Sequence, residues 1–305
     1  MTQTVGIIGL GAVGSTIAYT LVTSNTCRRF VFYDLNISKA EGIAFDLIDT
    51  NHNVSVQVCD LENDAWTDLD IIVVAAGVKR SLNGSRLDLL DDNKRILESI
   101  FGVLKHSISY FTKVILVSNP VDIVTSITQK ILSNAVPEKH IFGTGTLLDT
   151  YRLQSQLARQ FYVKPSCIHV HVMGEHGDSQ FVAWSQSHLG GTCLKDILSD
   201  SERLALEELV RSRAKSIIDR KGATTYGIST VVNDLVRAIL TDERIIVPVS
   251  TYHPEPYRVC LSTLAVIGGD GIQSLLPLQL NSEEEYKCIQ SAARLSTLLR
   301  KHDIM

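Results

Sequence analysis

The chain opens with TVGIIGLGAVGSTIAYTL, an apolar run over residues 4–8 that leads directly into Gly9, Gly11 and Gly14. A GxGxxG pattern set between an extended apolar segment and a helical one admits few folds. The first glycine permits a tight turn, the second lets the backbone approach a pyrophosphate, and the third lets the following helix lie against the strand. The helix expected over residues 12–22 then aims its first amides, around Ala12 and Val13, at the same place, where negative charge is stabilised. A second apolar strand, residues 30–33, ends at Asp34, at the spacing where an acid reaches ribose hydroxyls. Asp34 favours NAD over NADP, because a carboxylate repels a 2′-phosphate and the adjoining Leu35 and Asn36 bring no compensating cation.

Strand-like and helix-like segments alternate through the first half, with strands expected over residues 4–8, 30–33, 54–58, 70–75, 113–118 and 140–142. Runs such as DIIVVAA and KVILVSN are apolar on both faces, as parallel strands covered by helices are. This predicts an α/β fold with a Rossmann-type doubly wound parallel sheet. After residue 142 the alternation stops. Helices are expected over 150–161, 201–219, 224–240 and 282–300, with strands near 168–173, 244–249, 257–265 and 272–280. The expected organisation is a nucleotide-binding domain over 1–142 followed by an α+β substrate-binding domain over 143–305.

Composition narrows the partners. A net charge of −4 and a charged fraction of 20% leave no basic surplus for nucleic acid or anionic lipid, so a small-molecule partner is expected. No stretch reaches the length of a membrane span, and the first strand is expected within a few residues of Met1, which leaves no room for a secretory leader. The six cysteines contain no CxxC pair and read as free thiols of a reducing compartment, so a cytoplasmic protein is expected.

Chemistry gathers in the middle of the sequence. Asp149, Arg152 three positions on, and His176 within Gly174-Glu175-His176-Gly177-Asp178 offer an imidazole that exchanges protons near neutral pH, a carboxylate to orient it, and a guanidinium to fork onto a substrate carboxylate. His169 and His171 stand two apart on an expected strand, but no carboxylate or cysteine spacing completes a metal site, and no metal is expected.

Together with GLGAVG at 9–14 and Asp34, the segments VAAGVKRSLNGSR at 74–86, VSNPVD at 117–122, GTGTLLDTYR at 143–152, GEHGDS at 174–179 and KGATTYGIS at 221–229 resemble the L-lactate and L-malate dehydrogenase family along essentially the whole chain. The resemblance implies an NAD-dependent oxidoreductase acting on a small 2-oxo or 2-hydroxy acid, assembled as a homodimer or homotetramer. It makes His176 the acid and base, Asp149 its orienting partner, Arg152 the grip on the substrate carboxylate, and Arg86 the loop arginine that polarises the carbonyl. Gly77, Asn83, Gly84 and Ser85 would give that loop its freedom. Ala76 and Gly77 would border the cofactor, Asn119 would position both substrate and cofactor, and Thr224 would line the substrate pocket. Either isomer of the Asn119-Pro120 bond is open.

The family pattern also places a specificity position at Arg80, three residues beyond Gly77. Arginine there suits the second carboxylate of oxaloacetate. GTGTLLD, GEHGD and Thr224 are lactate-like, so pyruvate and L-lactate lead, with malate behind and a longer acid such as 2-oxoisocaproate as a further option. Fructose 1,6-bisphosphate activation in related bacterial enzymes uses an arginine and a histidine; the histidine place holds His169 but the arginine place holds Gln154, so weak or absent activation is expected. Two other classes compete: a non-catalytic NAD-binding module, against which the presence of His176, Asp149, Arg152 and Arg86 speaks, and an NAD-assisted, metal-requiring glycosidase on a related fold.

Overall fold

The computed structural model describes residues 3–78, 86–302 and 304, excepting the side chains of residues 86–89. Arg80, Asn83, Gly84 and Ser85, and the side chain of Arg86, therefore lie outside the described residues. The first half alternates as the sequence predicts: β1 (Thr4–Ile8), α1 (Ala12–Thr23), β2 (Arg29–Tyr33), α2 (Ile37–Thr50), β3 (Ser55–Val58), β4 (Ile71–Val74), α3 (Arg86–Leu104), β5 (Lys113–Leu116), α4 (Val121–Leu132) and β6 (Ile141–Gly143). The second half runs α5 (Leu147–Phe161), β7 (Ile168–His169), β8 (Val172–Met173), β9 (Phe181–Val182), β10 (His188–Leu189), β11 (Thr192–Cys193), α6 (Leu194–Ile197), α7 (Asp200–Lys221), α8 (Tyr226–Leu240), β12 (Ile245–His253), β13 (Val259–Gly268), β14 (Gly271–Leu275) and α9 (Ser282–Lys301).

Six of these strands lie parallel in the order β6-β5-β4-β1-β2-β3, the doubly wound Rossmann arrangement. Alternate residues of each strand point to opposite faces. On β4, Ile71 and Val73 face one core with α1, α2 and α8, while Ile72 and Val74 face the other with α3, α4 and α9. Both faces are thus dry, which is why these strands carry unbroken apolar runs.

The antiparallel strands β12, β13 and β14 do not form a sheet of their own. They extend the parallel one through the pairing of Ser250 with Gly143, giving nine strands in all. The sheet and both cores run across residue 142, since Leu116 and Leu261 share one core and Ile115 and Ala265 the other. A third cluster, built on Leu153, Leu157, Val170, Trp184 and Val210, packs α5 and α7 over the short strands.

Three expected strands need correction. The strand expected over 168–173 is two, β7 and β8, which pair with β10 and β9 in different sheets. The strand expected to stop at 249 runs on to His253 through Pro248, a residue that ordinarily ends a strand reading. The one expected over 272–280 ends at Leu275.

Candidate functional site

At the carboxyl end of β1 the backbone turns sharply. Gly9 takes φ +90°, and a Cβ there would collide with the backbone of Ala76; a Cβ on Gly14 would run into the carbonyl oxygen of Gly9. Both glycines are demanded by the protein's own packing. Gly11 is not. Its φ of −66° suits any residue, and a Cβ there would meet nothing within 4 Å. The bare backbone at Gly11 leaves open space beside the turn. Gly11 also caps α1 without a side-chain hydrogen bond, leaving the first helical amides for an anion.

Asp34, at the end of β2, accepts from the Leu10 amide at 2.7 Å and from the Asn36 amide at 2.9 Å, so it fastens the glycine turn to the neighbouring strand end. The loops after β4 and β5 close the same crevice. Ser118 Oγ donates to the Ala76 carbonyl at 2.5 Å, while Asn93 of α3 accepts from the Val78 amide at 3.0 Å and donates to the Asn119 carbonyl at 2.7 Å. Gly77 is close-packed there, since a Cβ on it would lie 3.1 Å from the Asn93 amide oxygen. The Asn119 side chain is exposed, and the Asn119-Pro120 peptide is cis. A crevice at the carboxyl ends of parallel strands, where strand order reverses between β1 and β4, suits a dinucleotide.

The second cluster forms where α5 begins. Asp149 sits in its first turn and Arg152 one turn later on the same face, with Arg152 Nη1 at 3.0 Å from Asp149 Oδ1. His176, from the loop after β8, places Nδ1 at 2.8 Å from Asp149 Oδ2. Threonines clip the two segments together: Thr146 Oγ1 donates to the Val172 carbonyl at 2.5 Å, and Thr150 Oγ1 accepts from the Val172 amide at 3.0 Å. The loop is pinned elsewhere by Ser291 Oγ, 2.6 Å from the Glu175 amide, and by Arg294 against Asp178 and Glu175. The His176 amide is held at 2.8 Å by Asp122 Oδ2 of α4.

Asp149 is almost wholly buried, with only 4% of its side chain exposed, whereas His176 keeps 26% and Arg152 11%. Burial opposes charge on His176, but the Asp149 carboxylate, through its field and its hydrogen bond, outweighs it and holds the imidazole above its ordinary pKa. Burial likewise pushes Asp149 up, and His176 and Arg152 together bring it below the usual carboxylate value. With Asp149 ionised, the network assigns the Nδ1 proton to the hydrogen bond with Asp149 and turns Nε2 away from it.

His176, Asp149 and Arg152 are therefore brought together, as expected. Arg152 and Thr224 also line a cavity of about 370 Å³ between α5, α7 and α8, with Leu148, Arg213 and Tyr226 in its wall; His176 is not part of that wall. Gln154 spends its amide on the Ile168 carbonyl at 3.1 Å, and His169 is exposed on β7. Two residues the sequence reading passed over belong to the region. Asn93 looks like one more polar residue on a solvated helix face, and Asp122 like an ordinary acid in a first helical turn; both are buried.

A dinucleotide crevice joined to a carboxylate-held histidine and an adjacent arginine defines a nicotinamide-dependent oxidoreductase. Residues 3–143 match the NAD binding domain of lactate/malate dehydrogenase, and residues 146–303 match the alpha/beta C-terminal domain of the same family. The chain belongs to the lactate/malate dehydrogenase family and is an NAD-dependent oxidoreductase. It is 33% identical to L-lactate dehydrogenase 2 of Enterococcus faecalis, covering 97% of this chain and 96% of the relative. It is 34% identical to L-lactate dehydrogenase of Clostridium botulinum, covering 98% of this chain and 96% of the relative. Among solved structures, the minor L-lactate dehydrogenase of Enterococcus mundtii superposes with a TM-score of 0.93 at 32% identity, covering 98% of each chain. A lactate dehydrogenase from a deep-sea metagenome library superposes with a TM-score of 0.92 at 29% identity, again over 98% of each chain.

Proposed function

We propose that this enzyme interconverts pyruvate and L-lactate. The observation that carries the proposal is the shared carboxylate of Asp149, which holds His176 on one oxygen and Arg152 on the other. In ketone reduction, NADH supplies the hydride. His176, protonated, donates its Nε2 proton to the carbonyl oxygen, and Asp149 stabilises the imidazolium before the transfer. Arg152 keeps one N–H on Asp149 and offers the remaining guanidinium donors to the substrate carboxylate, a planar match that lysine cannot reproduce. Arg86 polarises the carbonyl, Asn119 positions substrate and nicotinamide, and Thr224 walls the pocket around the substrate's methyl end.

On the cofactor side, Gly9, Gly11 and Gly14 admit the pyrophosphate to the start of α1, beside Ala12 and Val13, and Asp34 receives the ribose, with Ala76 and Gly77 bordering the nicotinamide half. The division of labour follows the chain: nucleotide binding over 1–142, substrate handling over 143–305. Relatives named L-lactate dehydrogenase along nearly the full length support pyruvate as the substrate.

Arg80 supports a second reading, oxaloacetate and L-malate, because a guanidinium pairs with a second carboxylate. Catalytic efficiencies with pyruvate, oxaloacetate and 2-oxoisocaproate under NADH, measured side by side, decide between them; a clear preference for oxaloacetate that Arg80→Gln abolishes would replace lactate by malate. Formation of NADH from NAD and a 2-hydroxy acid, insensitive to a chelator, separates the dehydrogenase from a silent NAD-binding module and from a metal-requiring glycosidase.

The same reading has fructose 1,6-bisphosphate moving the pyruvate saturation curve weakly or not at all, because Gln154 carries no charge. It has the enzyme working as two or four copies, a reading supported by the exposed rings of Tyr19, Phe45 and Tyr226 on α1, α2 and α8. It also has the enzyme working in the cytoplasm, where its free cysteines stay reduced.

A further inference from the structure

Asp122 is a buried carboxylate that the chemistry proposed above does not use. It is 2% exposed, in the first turn of α4. One oxygen, Oδ2, accepts from the main-chain amide of His176; the other, Oδ1, makes no close hydrogen bond among the described residues, and the buried Ser250 hydroxyl of β12, which acts on the Asp122 carboxylate, makes no other. A buried carboxylate left half satisfied costs stability unless something nearby rewards its charge. The group in place to do so is His176, whose amide Asp122 holds and whose ring feels the Asp122 charge along with those of Asp149 and Arg152 of α5, while Glu175 of the same loop acts on Asp122.

We infer that Asp122 is a positioning residue for the reaction, a second carboxylate that seats the His176 backbone and shares with Asp149 the stabilisation of the imidazolium. The inference rests on His176 being the proton donor. Asp149 acts through the ring nitrogen and fixes its tautomer. Asp122 acts through the main chain, fixing where the ring stands and adding a second negative charge to its surroundings. Burial raises the Asp122 carboxyl to about 6, opposed by the Ser250 hydroxyl, by the His176 amide and by the His176 charge, and reinforced by Glu175. The Cys260 thiol of β13 also feels the Asp122 charge. The two groups favour each other's ionised forms, so the state of one moves the titration of the other.

The test is the NMR titration of His176 in wild type and in Asp122→Asn, which keeps an oxygen for the His176 amide and removes the charge. The His176 midpoint is expected to fall by roughly half to one pH unit, as for a charge somewhat further away than a contact ion pair. The alkaline limb of pyruvate reduction should move down with it, while the Kd for NADH stays unchanged. An unmoved midpoint, or a kcat lowered equally at every pH with the limb in place, overturns the inference and leaves Asp122 a structural residue. Should Asp122→Asn fail to fold, Ser250→Ala leaves α4 intact. Without the hydroxyl the Asp122 charge is harder to hold, so the His176 midpoint should fall by a smaller amount; an unchanged or raised midpoint overturns the inference. The titration needs no turnover, so a wild type inactive on every 2-oxo acid would sink the proposed reaction while the midpoint comparison still judged the coupling.

Discussion

Arg152 and His176 are joined through opposite oxygens of one carboxylate, Nη1 of the first lying 3.0 Å from Asp149 Oδ1 and Nδ1 of the second 2.8 Å from Oδ2. In the proposed reaction, substrate grip and proton transfer therefore share an anchor. A carboxylate that binds through Arg152 enters beside the ring whose proton its carbonyl needs, and neither group can shift without disturbing the other through Asp149.

Removing the imidazole tests the proton step alone. His176→Asn should lower kcat for pyruvate reduction by roughly 100-fold to 10,000-fold, the usual contribution of a placed acid or base. NADH binding should survive, because the glycine turn and Asp34 belong to β1, α1 and β2. Stopped-flow turnover beside fluorescence titration with NADH checks both halves, and near-normal turnover would dismiss His176 as the donor.

The pH dependence follows from the same contact. Burial works against the His176 charge, yet Asp149 prevails and raises the imidazole above its ordinary value. Pyruvate reduction needs the protonated ring, so its rate should hold below the raised value and fall as pH climbs through it; lactate oxidation, which needs the neutral ring, should rise over the same interval. Stability obeys the same sign. The His176 contribution is complete below about pH 6.5, the unfolded value, and is lost as pH rises through the folded one. Asp149 is held below its ordinary value, so its contribution is present above about pH 4 and lost as pH falls through its folded value. Melting temperatures of wild type and His176→Asn, compared from about pH 5 to about pH 9, should converge toward the alkaline end.

Arg152→Lys separates charge from geometry. The ammonium keeps a positive charge near Asp149 but loses the planar fork, so the KM for pyruvate should rise by roughly 10-fold to 100-fold, about 1.4 to 3 kcal/mol of charge-assisted hydrogen bonding. The Kd for NADH should not change. Initial-rate kinetics with pyruvate and binding titrations with NADH make the comparison, and an unchanged KM would remove Arg152 from the substrate site.

Much of this candidate site is legible in the sequence, because its chemistry lies in rare residue types within short segments. GxGxxG followed by Asp34 specifies a crevice, and Asp149 with Arg152 specifies one helix face. What stayed hidden depends on distant contacts. The partner of Asp122 lies 54 positions along the chain, and nothing local distinguishes Asp122 from an acid favoured by the start of a helix. Asn93 stands in the polar run DDNK, and only folding turns it inward to tie the loops after β4 and β5. The short strands β9, β10 and β11 are two residues each, below the length at which alternation becomes visible. The joining of β12 to β6 is a tertiary choice that no window of sequence contains.

The glycine turn offers a contrast in which the protein serves as its own control. Gly14→Ala places a methyl group against the Gly9 carbonyl, so the turn must deform, and a loss of about 1 to 3 kcal/mol in stability is expected, typical of overpacking at a rigid site. Gly11→Ala places the methyl group in open space at a φ any residue accepts; the unfolded-state freedom it removes is offset by alanine's being the weaker N-cap, so the melting temperature should change little. If the pyrophosphate packs on this backbone, the added carbon stands where the phosphate must come. The Kd for NADH should then rise by at least roughly 10-fold, the effect of about 1.4 kcal/mol of lost contact. Thermal melts and fluorescence titrations on the two variants read both effects, and a Gly11→Ala protein that binds NADH normally would mean that the dinucleotide does not cross this turn.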